Sequence, residues 1–562
     1  MSFERTTNKK SKPTEKAFAG LSAGMSATLE ITAYGSEGQG IARHNGMAVF
    51  VPGAMRTERV TAEITKVTPS FAEARLLKIL QPSAERVDSL CPYYAACGGC
   101  DLLHMSYAEQ LRMKRETVRS AMERIGGFRG IEVRPCIGAD KPVHYRNKAV
   151  FPFVAAENAA CAASGYYAQK SHRLVPVESC LIQSEDAMTA KKIVTEWANM
   201  FGIRPFDEKR GSGLLRQIMV RKTESGTMVA VVTAGALPHS EELVSMLKHG
   251  LPSLAACIHC INGNPRDPGL GRKSKLLFGS AELTETVCGL KFNVSAHSFL
   301  QVNPEQTQKL YLSAANALNL TKNDDVADVF CGIGTISLLL AQRARSVLGI
   351  EAVAPAVEDA RRNAKLNGIK NAEFICENAE LALPRLVAQG KRFSAIVLDP
   401  PRRGAEKPAL EAIVNSGADR LAYVSCNPAT LARDCKILAA AGYAPTFVQP
   451  VDMFPMTHHV ETVCLLSKLQ SKEHIEIEVK MDELDLTAAE KKATYEEIKA
   501  YVLEHTGLKV SHLYIAQVKQ KCGIIERENY NKPKSEDAKQ PQCPPEKEKA
   551  IREALHHFGM IL

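Results

Sequence analysis

One cysteine of this sequence stands where an α/β enzyme would keep a nucleophile. Cys426 directly follows the apolar run 421–425. If that run is a parallel strand, the thiol lies at its carboxyl end, the edge at which open α/β sheets bind their ligands. A thiol in that place is suited to nucleophilic catalysis. Other cysteines, such as Cys376, Cys435 and Cys464, lie within apolar segments and are interpreted as small buried hydrophobic residues.

A glycine-rich turn upstream predicts a site for an adenosine-bearing ligand. Residues 325–340 have the pattern of a strand, a turn and the start of a helix, and Gly332 and Gly334 let the backbone approach a ligand closely. Glu351 ends the next strand, where a carboxylate can accept both hydroxyls of a ribose. Because the third glycine of the dinucleotide fingerprint is absent, the sequence favours S-adenosylmethionine over NAD.

Polar residues at two further strand ends extend this site. Asn378 follows the third strand and is placed to reach the edge of an adenine. The fourth strand ends in the rigid turn 399–402, which begins with Asp399 and ends with Arg402. One such residue alone is usually a helix cap or a solvent contact. An ordered set on consecutive strand ends indicates a cofactor site.

A second group of cysteines indicates a metal centre. Cys91, Cys97 and Cys100 lie within ten residues, with two glycines between the last two, and Cys180 is the fourth candidate. Four thiolates suit either tetrahedral zinc or a 4Fe–4S cluster. The spacing lacks the paired C-x2-C of a zinc ribbon, so the sequence favours iron–sulfur and leaves zinc open.

The paired histidines at 458 and 459 also invite a metal interpretation, which we reject. Neighbouring side chains of an extended segment point in opposite directions, and no third ligand is evident.

The elements that must position these residues fall into several domains, since 562 residues are too many for one core. We expect a multi-domain α/β protein. Alternating apolar strands and helices predict a doubly wound, Rossmann-like sheet, and short alternating runs between glycine turns predict a small five-stranded β-barrel. The expected domains are a disordered basic tail (1–21), the N-terminal β-barrel (22–81), a strand-rich central domain with the metal centre (82–290), the doubly wound sheet (291–467) and an α+β C-terminal extension (468–562) with strong helices at 487–504 and 545–557.

The composition of the chain indicates its cellular compartment and the kind of partner it binds. The chain is 45% hydrophobic and 24% charged, and no stretch approaches the roughly 18 consecutive apolar residues of a membrane span. The N-terminus lacks the apolar core of a secretion signal, so we expect a cytoplasmic protein with no membrane association and reduced thiols. A net charge of +9 fits an RNA partner, although many other enzymes are equally basic.

Taken in order, these motifs resemble one family over residues 22–467. The chain is similar to the RNA uracil-5-methyltransferases, specifically the ribosomal RNA branch with an N-terminal TRAM domain, a small OB-like barrel. The resemblance rests on 38–40 and 49–53 in the barrel, on Cys91, Cys97, Cys100 and Cys180, and on the segments 299–303, 328–335, 399–402, 425–427 and 459–461.

The resemblance implies an activity and a set of site residues. The activity is S-adenosylmethionine-dependent methylation of carbon 5 of a specific uridine in 23S ribosomal RNA, through a covalent cysteine–uracil adduct. Cys426 would be the nucleophile and Glu461 the base. The uridine would be single-stranded or flipped out, since carbon 6 is shielded in a stacked helix. The implied 4Fe–4S ligands are Cys91, Cys97, Cys100 and Cys180, and the implied cofactor-binding residues are Gln301, Phe330, Thr335, Glu351, Asn378 and Asp399.

Other functions remain as alternatives. Radical methylthiotransferases also combine a TRAM barrel, an iron–sulfur cluster and S-adenosylmethionine, but their cluster motif is C-x3-C-x2-C, whereas this chain has C-x5-C-x2-C. An inactive RNA-binding or redox-sensing relative would lack Cys426 or Glu461, and both are present. The transfer RNA branch typically lacks the TRAM domain and the cluster. We expect a monomer, and residues 468–562 have no counterpart in the family pattern.

Overall fold

The computed structural model describes residues 20–156, 161–469, 495–522 and 543–558. The chain divides into two compact units, Met1–Ile477 and Glu478–Leu562. The predicted basic tail lies outside the described residues except for its last two positions, and there Leu21 is already buried in the core of the barrel.

The first unit begins with the barrel. Its strands close in the order β1-β2-β3-β5-β4. They are β1 (Ser26–Tyr34), β2 (Gly40–His44), β3 (Met47–Val51), β4 (Arg59–Val67) and β5 (Phe71–Gln81). Along β1 exposed and buried residues alternate, which puts Ala27, Leu29 and Ile31 in the core. Shifts of register between β4 and β5 let so short a sheet curve into closure. The predicted five-stranded barrel is confirmed.

A helix, a short strand and a seven-stranded sheet follow. The sheet has the order β13-β12-β11-β10-β7-β8-β9. Two helices pack on it around the buried Trp197. The elements are α1 (Tyr107–Arg124), β6 (Glu132–Val133), β7 (Lys148–Ala155), β8 (Ala162–Tyr167), β9 (Leu174–Pro176), α2 (Glu185–Met200), β10 (Leu215–Thr223), β11 (Gly226–Thr233), α3 (Ser240–Gly250), β12 (Leu254–Ile261) and β13 (Lys273–Gly279).

A second, eight-stranded sheet completes the first unit, in the order β18-β17-β16-β19-β20-β22-β21-β6. Its elements, with the hairpin β14–β15 before it, are β14 (Glu282–Val287), β15 (Leu290–Ser295), α4 (Pro304–Ala317), β16 (Asp325–Val329), α5 (Thr335–Ala341), β17 (Ser346–Glu351), α6 (Ala354–Leu366), β18 (Ala372–Cys376), α7 (Ala379–Ala388), β19 (Ala395–Leu398), α8 (Lys407–Asn415), β20 (Arg420–Ser425), α9 (Pro428–Ala440), β21 (Tyr443–Val451) and β22 (Glu461–Lys468).

This sheet is doubly wound, as predicted. The strands from β18 to β20 are parallel, so their carboxyl ends share one edge, and apolar clusters cover both faces. The strand β22 lies between β20 and β21 and is antiparallel to both. That reversal brings the start of β22 to the edge where β20 ends.

Parts of the predicted central domain, 82–290, pair or pack with the eight-stranded sheet. β6 pairs with β21, and Val118 and Met122 of α1 pack in the core of the eight-stranded sheet. The hairpin β14–β15 spans the expected boundary at 290, and its Phe292 packs in the same sheet's other core. Hydropathy patterns report local structure, whereas these pairings join residues far apart in the chain.

The second unit is helical in its described part. Its helices are α10 (Tyr495–Thr506), α11 (His512–Lys521) and α12 (Pro545–His557), and they share a core that contains Ile498, Val502, Ile515 and Ile551. The first predicted helix, 487–504, lies partly outside the described residues, and the described segments hold no strand, whereas we expected α+β. Among the helices described in both units, none has the length and apolar character needed to span a membrane.

Candidate active site

The glycine turn after β16 exposes backbone at the carboxyl edge of the sheet. Phe330, Gly332 and Gly334 have φ values of +72°, +55° and +83°. A Cβ on Gly332 would meet nothing within 4 Å, so this backbone borders open space. A Cβ on Gly334 would lie 3.1 Å from Ala360 and Phe374, so glycine is needed here for packing. The turn therefore brings the backbone to the border of an open space just before Thr335 begins α5.

Two of the predicted cofactor residues flank this turn. Glu351 ends β17, and its two oxygens accept the N–H groups of Gly332 at 3.1 Å and Val353 at 2.8 Å. Each oxygen keeps a second lone pair for a ligand hydroxyl. Asn378 stands at the start of α7, where it is exposed and makes no capping hydrogen bond with its side chain.

Sequence reasoning missed two buried residues of this edge, Asp328 and Tyr311. Asp328 accepts a hydrogen bond from the Ser337 hydroxyl, its other oxygen has no partner among the described residues, and burial raises its pKa to about 7. Burial, reinforced by the Asp399 carboxylate, raises the pKa of the Tyr311 hydroxyl above its usual value. An acid within an apolar strand was a readable signal for Asp328. Tyr311 gave none, because its helix precedes the sheet in the chain.

The pairing of β20 with β22 brings Cys426 and Glu461 together. Ser425 lies opposite Thr462 in this antiparallel ladder. Glu461 is therefore opposite the position that follows Ser425, which is Cys426. Two residues separated by a helix and a strand in the chain become neighbours at one edge.

The groups at this edge hold their protons tightly. Glu461 is 3% exposed, one of its oxygens has no partner among the described residues, and burial together with Asp399 raises its pKa to about 8. Burial and the Glu461 carboxylate raise the pKa of the Cys426 thiol to about 11, and burial raises the pKa of Asp399 to about 6. The Arg402 guanidinium opposes the first two shifts. Such shifts are typical of groups that exchange protons during a reaction.

Helix α9 fixes the 399–402 turn beside Cys426. The Asn427 side-chain amide and the Thr430 hydroxyl donate to the Arg402 carbonyl at 3.3 and 3.4 Å. The Asp434 carboxylate accepts the Ala405 N–H at 2.9 Å. The turn that carries Asp399 and Arg402 is thus held by the same helix that starts next to the thiol.

The loop that carries Gln301 is fixed to the segment before Glu461. Gln301 is 7% exposed, and its carbonyl accepts a 3.5 Å hydrogen bond from Asn147. Asn303 starts α4 by accepting the Gln306 N–H, and its amide donates to the Met453 carbonyl at 3.2 Å. Hydrogen bonds at Gln301 and at Asn303 therefore connect this loop to its neighbours.

The four predicted ligand cysteines line one cavity of about 240 Å³, and they are Cys91, Cys97, Cys100 and Cys180. Gly98 lets the loop lie against the end of β8 and the residues after it, since a Cβ there would stand 3.0 Å from the Tyr167 carbonyl and 2.8 Å from the Gln169 nitrogen. Among the described residues, no three histidine, cysteine, aspartate or glutamate side chains are close enough to hold a single metal ion. The four cysteines therefore share one cavity, but the described residues do not show the predicted iron–sulfur centre.

A cation also borders this cavity. Arg146 lines it, forms no ion pair with a described acid, and has a buried Nε without a partner. Its guanidinium lies 5.7 Å from the centre of the Phe454 ring. Burial raises the pKa values of Cys100 and Cys180, and Arg146 opposes both shifts. The cavity therefore presents positive charge to whatever the thiols hold.

Comparison with known proteins gives matches over most of the chain. Residues 24–77 match the TRAM domain, and residues 269–469 match the family described as tRNA (Uracil-5-)-methyltransferase. An uncharacterized RNA methyltransferase of Halalkalibacterium halodurans is 43% identical over 433 residues, which cover 76% of this chain and 94% of that protein. One of Caldanaerobacter subterraneus is 42% identical over 444 residues, covering 78% and 98%.

A solved structure shares the fold. The Pyrococcus abyssi tRNA (uracil-54, C5)-methyltransferase in complex with S-adenosyl-L-homocysteine matches with a TM-score of 0.62 and 24% identity, covering 78% of this chain and all of that one. Its identity is too low to carry more than architecture. Identity above 40% over nearly the full length of the bacterial relatives goes further, and the chain therefore belongs to the family of S-adenosylmethionine-dependent RNA uracil-5-methyltransferases, with a TRAM domain on its N-terminal side.

Proposed function

We propose that this enzyme methylates carbon 5 of one specific uridine in 23S ribosomal RNA through a covalent adduct with Cys426. The observation that carries the proposal is the placement of Cys426 opposite Glu461 across the β20–β22 ladder, beside Asp399 and Arg402. Cys426 can start the reaction by attacking the uracil ring, and Glu461 can end it by removing a proton.

Carbon 5 of uracil is a poor nucleophile, so the ring must first receive electrons. The Cys426 thiol loses its proton to water as its sulfur bonds carbon 6, and the electron pair of the 5,6 double bond moves into an enolate. Arg402 is the cation available to that negative charge. S-adenosylmethionine, when bound, supplies the methyl group that carbon 5 then takes. We assign its binding to Gln301, Phe330, Thr335, Glu351, Asn378 and Asp399, and the open space along Gly332 fits a ligand there.

Glu461 ends the reaction. Its carboxylate takes the proton of carbon 5, and the electrons of that C–H bond restore the 5,6 double bond. The bond between carbon 6 and the sulfur breaks, and its pair returns to Cys426 as the thiolate. Glu461 then passes its proton to water, and free enzyme, 5-methyluridine and S-adenosylhomocysteine result.

We also assign a 4Fe–4S cluster to the four cysteines of the cavity. We prefer the cluster to a zinc ion because the cysteine spacing lacks the paired C-x2-C of a zinc ribbon. A cavity of about 240 Å³ with Arg146 at its wall suits a larger, anionic group. No step of the reaction above passes through this cluster, which would hold residues 91–180 together.

The choice of ribosomal RNA rests on the combination of the TRAM barrel with the four cysteines. The architecture does not separate the two RNA classes by itself, since a neighbour named for a tRNA substrate spans 78% of this chain. Mapping 5-methyluridine in 23S ribosomal RNA and in tRNA, from cells with and without the gene, decides between them. One ribosomal uridine should lose its methyl group; loss confined to tRNA would contradict the proposal. A ribosomal substrate places the enzyme in the cytoplasm.

The release step should depend on pH. A general base acts in its deprotonated form. With a pKa of about 8, only about a tenth of Glu461 is deprotonated at pH 7. Methylated adduct formed at pH 6 should therefore persist and then resolve after a jump to pH 9, with a rate that rises about tenfold per pH unit and levels off above about 8. Rapid-quench gels measure this rate. A resolution rate that is constant from pH 6 to 9 would move the base elsewhere.

Removal of the second unit should spare the chemistry. A chain cut after Ile477 keeps every residue of the proposed site, and the removed helices have a core of their own. We expect methylation of a short RNA within about twofold of the full chain, which filter binding of a labelled methyl group measures. If the shortened chain is folded but inactive on that RNA, the second unit is part of the catalytic machinery.

A further inference from the structure

The segment between β21 and β22, residues 452–460, leads directly into Glu461 and is bound at several points to the region that carries the cysteines. The Lys114 ammonium and Asp452 form a fully buried ion pair, and the Tyr107 hydroxyl donates to the same carboxylate at 2.8 Å. The Tyr145 hydroxyl donates to the Pro455 carbonyl at 3.0 Å. These bonds fix the beginning and the middle of the segment.

The middle of this segment is held in an unfavourable backbone conformation. Met456 has φ of +69°, which a side chain with a Cβ rarely adopts. The Gln110 side chain accepts the Met456 N–H at 3.0 Å. The Met456 carbonyl accepts the N–H groups of Asp101 and Leu102 at 3.0 and 3.1 Å. Such a conformation persists only where its surroundings impose it. The cysteine loop, which we define as residues 91–102, contributes to this constraint because Asp101 and Leu102 bind the Met456 carbonyl.

The link nearest to Glu461 is a pair of side chains. The His458 ring Nδ1 lies 2.7 Å from the Asp101 carboxylate. Asp101 directly follows Cys100, and His458 precedes Glu461 by three residues. The His458 ring lies 4.1 Å from that of His459, which in turn packs edge-on against Phe454 at 6.0 Å. The Asp101–His458 contact thus joins the cysteine loop to the residues directly before Glu461, in addition to the backbone bonds at Met456.

We propose that Asp101 and His458 are positioning residues for Glu461, through which the cysteine loop controls the proton abstraction that releases the product. The inference rests on the proposed function. Glu461 is fixed on one side by its ladder with β20 and β21. The Asp101–His458 pair fixes the chain on its other side, where no strand holds it. Loss of this pair displaces the Glu461 carboxylate from carbon 5 of the uracil. Cys426, Arg402 and the RNA contacts remain.

The test is a pair of variants, Asp101→Ala and His458→Ala, with Asp186→Ala as the matched control. Asp186 has nearly the same exposure, 18% against 19%, and accepts comparable hydrogen bonds, from Thr227 and Ser253 at 2.8 Å. It lies on α2, away from the segment before Glu461. Rapid-quench gels with labelled RNA measure formation and resolution of the methylated adduct separately.

We expect both variants to slow adduct resolution about tenfold while methyl transfer, KM for RNA and bound iron stay within about twofold of wild type. Asp186→Ala should leave resolution unchanged. The double variant should be no slower than either single one, because both remove the same link. His458→Ala leaves the cysteine loop intact, so its effect is independent of cluster assembly.

Each outcome is decisive. Equal slowing of both steps, additive effects in the double variant, or behaviour like that of Asp186→Ala would overturn the positioning role. If the wild-type enzyme forms a methylated adduct and the variants resolve it normally, only this inference fails. If the wild-type enzyme forms no adduct, the proposed function fails, and this inference with it.

Discussion

Cys426→Ala is expected to abolish both 5-methyluridine formation and the covalent protein–RNA band on a denaturing gel. The variant lacks the only atom that the proposed reaction joins to carbon 6, so the ring never receives the electrons that make carbon 5 reactive. Binding of RNA and cofactor should persist, since the thiol is small and only partly exposed. A covalent band that survives in this variant would assign the nucleophile to another residue.

Glu461→Gln should give the opposite result on the same gel. Addition and methyl transfer remain possible, but the proton of carbon 5 has no acceptor, and the methylated adduct accumulates as a slow-moving band that requires S-adenosylmethionine. Turnover should fall about 10²- to 10⁴-fold, the usual contribution of a general base. The double variant should show no band, and near-normal turnover in Glu461→Gln would refute its role.

The thermal stability of Glu461→Gln distinguishes loss of the general base from misfolding of the variant. The folded protein raises the pKa of Glu461 to about 8, so the unfolded chain loses that proton at lower pH than the folded one. Folding therefore becomes less favourable as pH rises from about 4.5 to 8, and glutamine avoids this cost. The variant should melt no lower than wild type at pH 7, and calorimetry or circular dichroism measures this.

Cys97→Ala should bleach the protein and weaken the first unit. Anaerobically purified wild type should be brown, with absorption near about 400 nm from sulfur-to-iron charge transfer. The proposed cluster would link Cys91 to Cys180, and a cross-link that closes about 90 residues stabilises by about 4–5 kcal/mol in the loop-entropy picture. We therefore expect loss of iron and a lower melting temperature.

Cys161→Ala is the matched control for this experiment. Cys161 is exposed and does not line the cavity, so its loss should change neither colour nor melting. Iron and acid-labile sulfide analysis of the wild-type protein decides the identity of the group. Stoichiometric zinc without iron would contradict the cluster.

The local chemistry of the site could be predicted from the sequence because it depends on residues close together in the chain. The glycine turn at 332–334 needs a positive φ, and the sequence supplies glycine at both ends of that turn. Short runs of alternating apolar residues predicted the barrel, the alternation of apolar strands with helices predicted the doubly wound sheet, and both are present. The sequence also supplied the candidate groups themselves: one thiol after a strand, acids at two other strand ends, an amide at a third, and four further cysteines.

The tertiary structure alone decided which of these groups meet. In sequence Glu461 merely begins a strand, and only the insertion of β22 between β20 and β21 puts it opposite Cys426. Cys180 likewise reaches the loop of Cys91 through the folding of the 88 intervening residues, and α1 reaches the eight-stranded sheet through the buried Lys114–Asp452 pair. The reason is physical: local backbone preferences act over a few residues, whereas strand order and burial are set by the free energy of the whole packed core.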